Sequence, residues 1–100
     1  MYHNGEGVLQ DYKEAEKWYT KAAEQGQTLA QFNLALMYHK GEGALQDKVY
    51  AHMWFNIASS NGSEGARNAR DIVAERMTPA QLAEAQRLAR ECVKKDYKNC

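Results

Sequence analysis

The chain has 100 residues, which makes one domain able to bury roughly 65% of its unfolded surface. Thirteen Lys plus Arg balance thirteen Asp plus Glu, leaving no net field to draw the chain to nucleic acid or to an anionic membrane. No run of 18 apolar residues is available for a membrane helix, so neither nucleic acid nor membrane is expected as a partner.

The opening residues, Met1-Tyr-His-Asn-Gly-Glu6, are not a basic-then-apolar leader, and the chain reads as soluble, without an export signal and cytoplasmic by default. The first predicted helix runs from Asp11 to Gly26. Tyr12, Ala15, Trp18, Tyr19, Ala22 and Ala23 recur at helical spacing. Asp11 is placed to cap it, Glu14 completes a capping box, and Gly26 supplies the left-handed residue that stops it. Lys13, Glu16, Lys17, Lys21 and Glu24 form a solvated outer face.

A second helix opens with Thr28 as cap and Gln31 three residues on, and continues through Leu29, Ala30, Phe32, Leu34, Ala35, Leu36, Met37 and Tyr38. It is apolar nearly all round, which suits a helix with neighbours on several sides. Gly41-Glu42-Gly43 breaks it, Asp47 starts a third helix, and Asn61-Gly62 ends that one. Ser63 caps a fourth helix carrying Ala66, Ala69, Ile72, Val73 and Met77. Thr78-Pro79-Ala80-Gln81 joins a cap, a first-turn proline and a capping-box glutamine at the head of a fifth helix. Leu82, Ala85, Leu88, Ala89, Cys92 and Val93 line one side of that helix, and the tail beyond Lys95 is expected to fray. No strand-like alternation appears, so the predicted fold is all-α and built from antiparallel helix pairs.

The chain also repeats itself. Met1-Tyr-His-Asn-Gly-Glu-Gly-Val-Leu-Gln-Asp11 returns as Met37-Tyr-His-Lys-Gly-Glu-Gly-Ala-Leu-Gln-Asp47, an offset of 36 residues. A fixed period of about 20 to 50 residues marks stacked supersecondary units. The pattern Ala-x-x-x-Leu-Ala-x-Met-Tyr-x-x-Gly-x-Gly, then Asp and Ala-x-x-Trp-aromatic-x-x-Ala before a closing Gly, resembles the Sel-one-like repeat, a relative of the tetratricopeptide repeat. Gly41, Gly43, Asp47, Trp54 and Gly62 match together, and Gly5, Gly7, Asp11, Trp18 and Gly26 largely repeat them. The resemblance implies a right-handed α/α superhelix of about five helices, used as an adaptor for protein complexes, often in bacteria, with no catalytic residues and no cofactor. The single domain divides into a partial first repeat (1–26), a complete repeat (27–62), the first helix of a last repeat (63–77), a C-terminal capping helix (78–95) and a tail (96–100).

Two departures from the pattern bear on architecture. Arg70 and Asp71 stand where Leu34 and Ala35 stood one repeat earlier, so the stack is expected to end near them, with the fourth helix meeting the terminal one. Val49, Met53 and Ile57 replace Lys13, Lys17 and Lys21, turning a solvated stripe apolar. The helix from Pro79 to Lys95 is predicted to lie over that ridge, as the capping of terminal repeats requires.

In stacks of the tetratricopeptide kind the first helix of each pair lines the concave surface. The resemblance therefore places Leu29, Phe32, Asn33, Leu36 and His39 from one helix, and Asn68, Ile72 and Glu75 from the next, in a groove for a peptide or partner protein. Asparagine amides would meet a peptide backbone, and Phe32, Leu36 and Ile72 would supply apolar contact. The alternative is structural. The helix that should precede Met1 falls before the chain begins, leaving Tyr12 and Trp18 to meet a second copy in a homodimer or marking the chain as a fragment of a longer repeat protein.

Other candidates read as structure. The Gly-Glu-Gly loops follow no strand and precede no Lys-Ser or Lys-Thr, so they are turns and not phosphate cradles. His3 and His39 are equivalent in successive repeats but lack further ligands for a metal ion. Glu42, Glu75 and His39 are the first groups to inspect for catalysis, and no Ser/His/Asp or Cys/His set accompanies them. Trp18 and Trp54, with Tyr19 and Phe55, are expected to pack between helices. His52 is expected at the surface, and Cys92 as a small buried hydrophobe. A bridge between Cys92 and Cys100 would staple only the tail.

Overall fold

The computed structural model describes the backbone of residues 8–41 and 47–100, and side chains for 13–41 and 47–100. Five helices follow one another, α1 (Val8–Glu24), α2 (Thr28–Lys40), α3 (Lys48–Ser60), α4 (Glu64–Ala74) and α5 (Pro79–Lys94), with no strand among the described residues. Consecutive helices from α1 to α4 pack as hairpins, and α3 carries α2, α4 and α5 together. The result is an all-α repeat solenoid.

Local chemistry fixes most of the helix ends. Asp47 accepts from Tyr50 N at 3.1 Å, Ser63 from Ala66 N at 3.1 Å, and Thr78 and Gln81 exchange both bonds of a capping box. Gly26, Gly41 and Gly62 turn the chain at φ 85°, 76° and 106°, a region that costs other residues strain.

Two expected caps are displaced. Gln27 is the N-cap of α2 and makes no side-chain cap bond, with Thr28 as the first helical residue. Helix α1 begins at Val8, because Val8, Leu9 and Gln10 hold no glycine or proline that would stop it at Asp11.

Burial on α3 follows from its three neighbours. Ala51, Met53, Trp54, Phe55, Ile57 and Ala58 are all buried. Helix α5 lies over the Val49–Met53–Ile57 ridge as predicted. Its buried face is small, Ala85, Ala89 and Cys92 at helical spacing, so large side chains of α3 fit against a low surface of α5. The two run parallel, with Gln81 beside Asp47–Val49 and Ala89–Lys94 beside Asn56–Ser60. Helix α4 correspondingly meets α3 far more than α5, contrary to the expected α4–α5 pairing. Arg70 donates from Nη1 to Asn56 Oδ1 at 2.9 Å and pairs with the exposed Asp71 at 3.1 Å.

The tail does not fray. Cys100 is bridged to Cys92, which is buried, so the sulfur reads as one half of a disulfide and not only as a small hydrophobe. Tyr97 packs against the core and donates its hydroxyl to Asn61 Oδ1 at 3.5 Å, and Lys98 Nζ donates to the Glu24 carbonyl at 2.6 Å. Asp96, Tyr97 and Asn99 hold left-handed backbone at φ 58°, 66° and 55°, a region that aspartate and asparagine tolerate and that costs Tyr97 strain its surroundings must offset.

Candidate functional site

Helix α2 has an inward and an outward side. Ala30, Gln31, Leu34, Ala35 and Met37 are buried, which leaves Leu29, Phe32, Asn33, Leu36 and His39 as the stripe facing away. Leu29 is 71% exposed. Asn33 and His39 are half-buried. Phe32 and Leu36 straddle the boundary, packed against the core at one edge and open at the other. The Phe32 ring tilts on Phe55 of α3 with centroids 5.7 Å apart.

Helix α4 presents Asn68 and Ile72, and its C-cap Glu75, all exposed, with Ile72 at 56%. Ala66 and Val73 anchor its other side. The 36-residue offset aligns Phe32 with Asn68, Leu36 with Ile72 and His39 with Glu75. The two helices approach at their first turns, where a β carbon built on Gly65 would lie 3.8 Å from the Phe32 ring. That distance is ordinary van der Waals contact, so glycine leaves room there without being required. The stripe therefore offers separated apolar points, Leu29 and Ile72, with amides between them.

A polar latch that sequence reasoning missed sits behind this stripe. Gln31 is fully buried, donates to the Ala23 carbonyl at 3.2 Å and accepts from Asn61 Nδ2 at 3.0 Å. It thereby ties α1, α2 and the end of α3 together, and a buried amide so satisfied fixes helix register. The only hint in the sequence is a glutamine within a helix that is otherwise apolar on nearly every side.

Two expectations are overturned. His52 is buried, because α4 covers the side of α3 that was read as surface, and its Nδ1 has no hydrogen-bond partner. Burial, with Arg70 acting the same way and Asp71 opposing, holds the imidazole below the ordinary histidine value. Trp18 is 64% exposed where Trp54 is 3% exposed. Helix α1 packs chiefly on α2, so nothing described covers its outer face. Lys21 Nζ stands 5.8 Å from the Trp18 ring centre, a cation–π contact at the surface.

Tyr12, Glu42, His3 and the remaining Gly-Glu-Gly glycines fall outside the described side chains. Among the described residues no group of three or more His, Cys, Asp or Glu side chains could hold a metal ion, and no helix is long and apolar enough to cross a membrane. Tyr38 and Tyr50 stack at 5.5 Å where α2 meets α3, and burial, then Glu16, Tyr50 and Asp47, pushes the Tyr38 hydroxyl above the usual tyrosine range.

Similarity to known proteins accords with this geometry. The Sel1 repeat model matches residues 1–27 and 28–63. Among solved structures, a protective antigen present in uropathogenic Escherichia coli strains, described as displaying an SLR fold, is similar at 31% identity with a TM-score of 0.80. The match covers 93% of this chain and 22% of the antigen, so the chain spans about a fifth of that protein's length. No curated protein is similar enough to match.

Proposed function

The chain belongs to the Sel1 repeat family, and on that premise we propose that it holds a peptide or a partner's edge along the outward stripes of α2 and α4. The family fold is generally a protein-interaction scaffold without catalysis. The observation that carries the finer reading is the exposure of Leu29 and Ile72, large aliphatic side chains on two successive first helices. Amides from Asn33 and Asn68 stand beside them to meet a peptide backbone. Apolar points separated by hydrogen-bonding groups suit an extended segment, whose main chain gives affinity and whose side chains give selectivity.

A Leu29→Ser, Ile72→Ser double variant tests this. Both side chains are exposed, so the fold is expected to stay within about 0.5 kcal/mol per site. Partners captured by the wild-type chain are expected to be lost by the variant at unchanged helicity. A variant that retains every partner overturns the reading.

The exposure of Trp18 supports a second reading, self-association through the outer face of α1. Sedimentation should then show a dimer that Trp18→Ser converts to monomer. A wild-type chain that remains monomeric at high concentration removes it.

A further inference from the structure

Between the C-terminal halves of α3 and α5 lies a groove of ≈ 360 Å³, floored by Ile57, Ala89 and Val93 and edged by Asn56, Ser60, Arg90 and Lys94. It shares no residue with the α2–α4 stripes. Its volume is at the lower end of the range of about 300–1,000 Å³ usual for ligand clefts, which suits one or two side chains of a larger partner. Val93 is 51% exposed, a large aliphatic group on the open side of α5.

The polar atoms of the lining separate into those already engaged and those still free. The Ser60 hydroxyl donates to the Asn56 carbonyl at 3.1 Å, and Asn56 Oδ1 accepts from Arg70 at 2.9 Å. On α5, Arg87 is held by Glu84 and Glu91, each at 2.7 Å. Arg90 and Lys94, four residues apart on the groove edge, have no carboxylate partner among the described residues. What the groove leaves unmet is thus an apolar floor and two cationic heads.

We infer that the α3–α5 groove is a second docking surface, for an acidic peptide segment that seats an apolar side chain on Ile57, Ala89 and Val93 and sets a carboxylate between Arg90 and Lys94. Charge complementarity selects the sign of the partner, and the apolar floor selects an amphipathic one. A membrane surface fits less well, since Val93 is the one large aliphatic side chain that α5 exposes among the described residues, too little to insert in a bilayer.

The probe is a fluorescein-labelled peptide, Gly-Ser-Glu-Phe-Glu-Ser-Gly, titrated with the full chain at low ionic strength and followed by anisotropy. Saturable binding is expected, weakened at least fivefold by Arg90→Glu with Lys94→Glu, by Val93→Ser, and by replacing both peptide glutamates with glutamine. Binding should also weaken as salt rises, and should be unchanged by Leu29→Ser with Ile72→Ser, which separates this surface from the α2–α4 stripes. Circular dichroism confirms that the variants, all at exposed positions, remain folded. Absence of saturable binding overturns the inference, as does binding indifferent to the Arg90, Lys94 and Val93 substitutions. Capture by phosphatidylserine vesicles, lost on the same substitutions while the peptide fails to bind, assigns the face to lipid and overturns it equally.

Discussion

Helices α1 and α3 carry the same signature 36 residues apart, aromatic pairs at Trp18-Tyr19 and Trp54-Phe55, yet one bears a surface and the other a core. The difference lies in their neighbours. Helix α3 meets α2, α4 and α5, whereas α1 packs chiefly on α2. The substitutions follow suit: Lys13, Lys17 and Lys21 remain in solvent, and their counterparts Met53 and Ile57 are buried, with Val49 half-buried, under α5. A repeat motif thus specifies a helix and its spacing, while the stack decides which of its aromatics becomes core.

The sharpest way to break that contrast is to truncate both tryptophans. Trp54→Ala is expected to cost about 3–5 kcal/mol through a large cavity, and Trp18→Ala about 0.5 kcal/mol or less, as an exposed site should. Equal losses in parallel urea titrations would mean that the two helices are covered alike.

The tail comes next. Cys100→Ser, or reduction by a dithiol, is expected to destabilise the chain by about 2–3 kcal/mol on the loop-entropy account. Proteolysis should then cut first beyond Lys95. A chain equally stable and equally resistant when reduced would show that Tyr97 and Lys98 hold the tail unaided.

The smallest effect is set by pH. Burial and Arg70 lower the His52 value, so the unfolded chain binds a proton there before the folded one does. Above an unfolded value of about 6.5 the site carries no penalty; as pH falls through that value toward the lowered folded one, stability is lost. His52→Leu should flatten the dependence of melting temperature on pH between about 7 and 5. An unchanged slope would place the titrating group elsewhere.

These contrasts also mark how far the sequence could be read. The caps at Asp47, Ser63 and Thr78 were legible because a cap is decided by residues two or three positions away in the chain. The docking of α5 was legible because Val49, Met53 and Ile57 could be set against Lys13, Lys17 and Lys21. His52, Trp18 and Gln31 were misread or missed since their burial depends on which helix arrives from elsewhere, information that no local spacing carries. Two cysteines eight positions apart allow a bridge, but say nothing of where Tyr97 and Lys98 would then land. The proposed stripe on α2 and α4 came from the resemblance and not from spacing, because α2 reads as apolar nearly all round, and Phe32 and Leu36 prove shared between that stripe and the core.

The tail's return has a cooperative consequence. Stacked repeats normally behave as a one-dimensional chain of nearest-neighbour couplings, able to peel open from either terminus. Here the last residues reach back to the turn between the first two helices, Lys98 to Glu24 and Tyr97 to Gly26, while Tyr97 also bonds Asn61 at the end of α3. That short-circuits the array: opening of the C-terminal end and loosening of the first hairpin become one event, so amide exchange in the two places should rise and fall together.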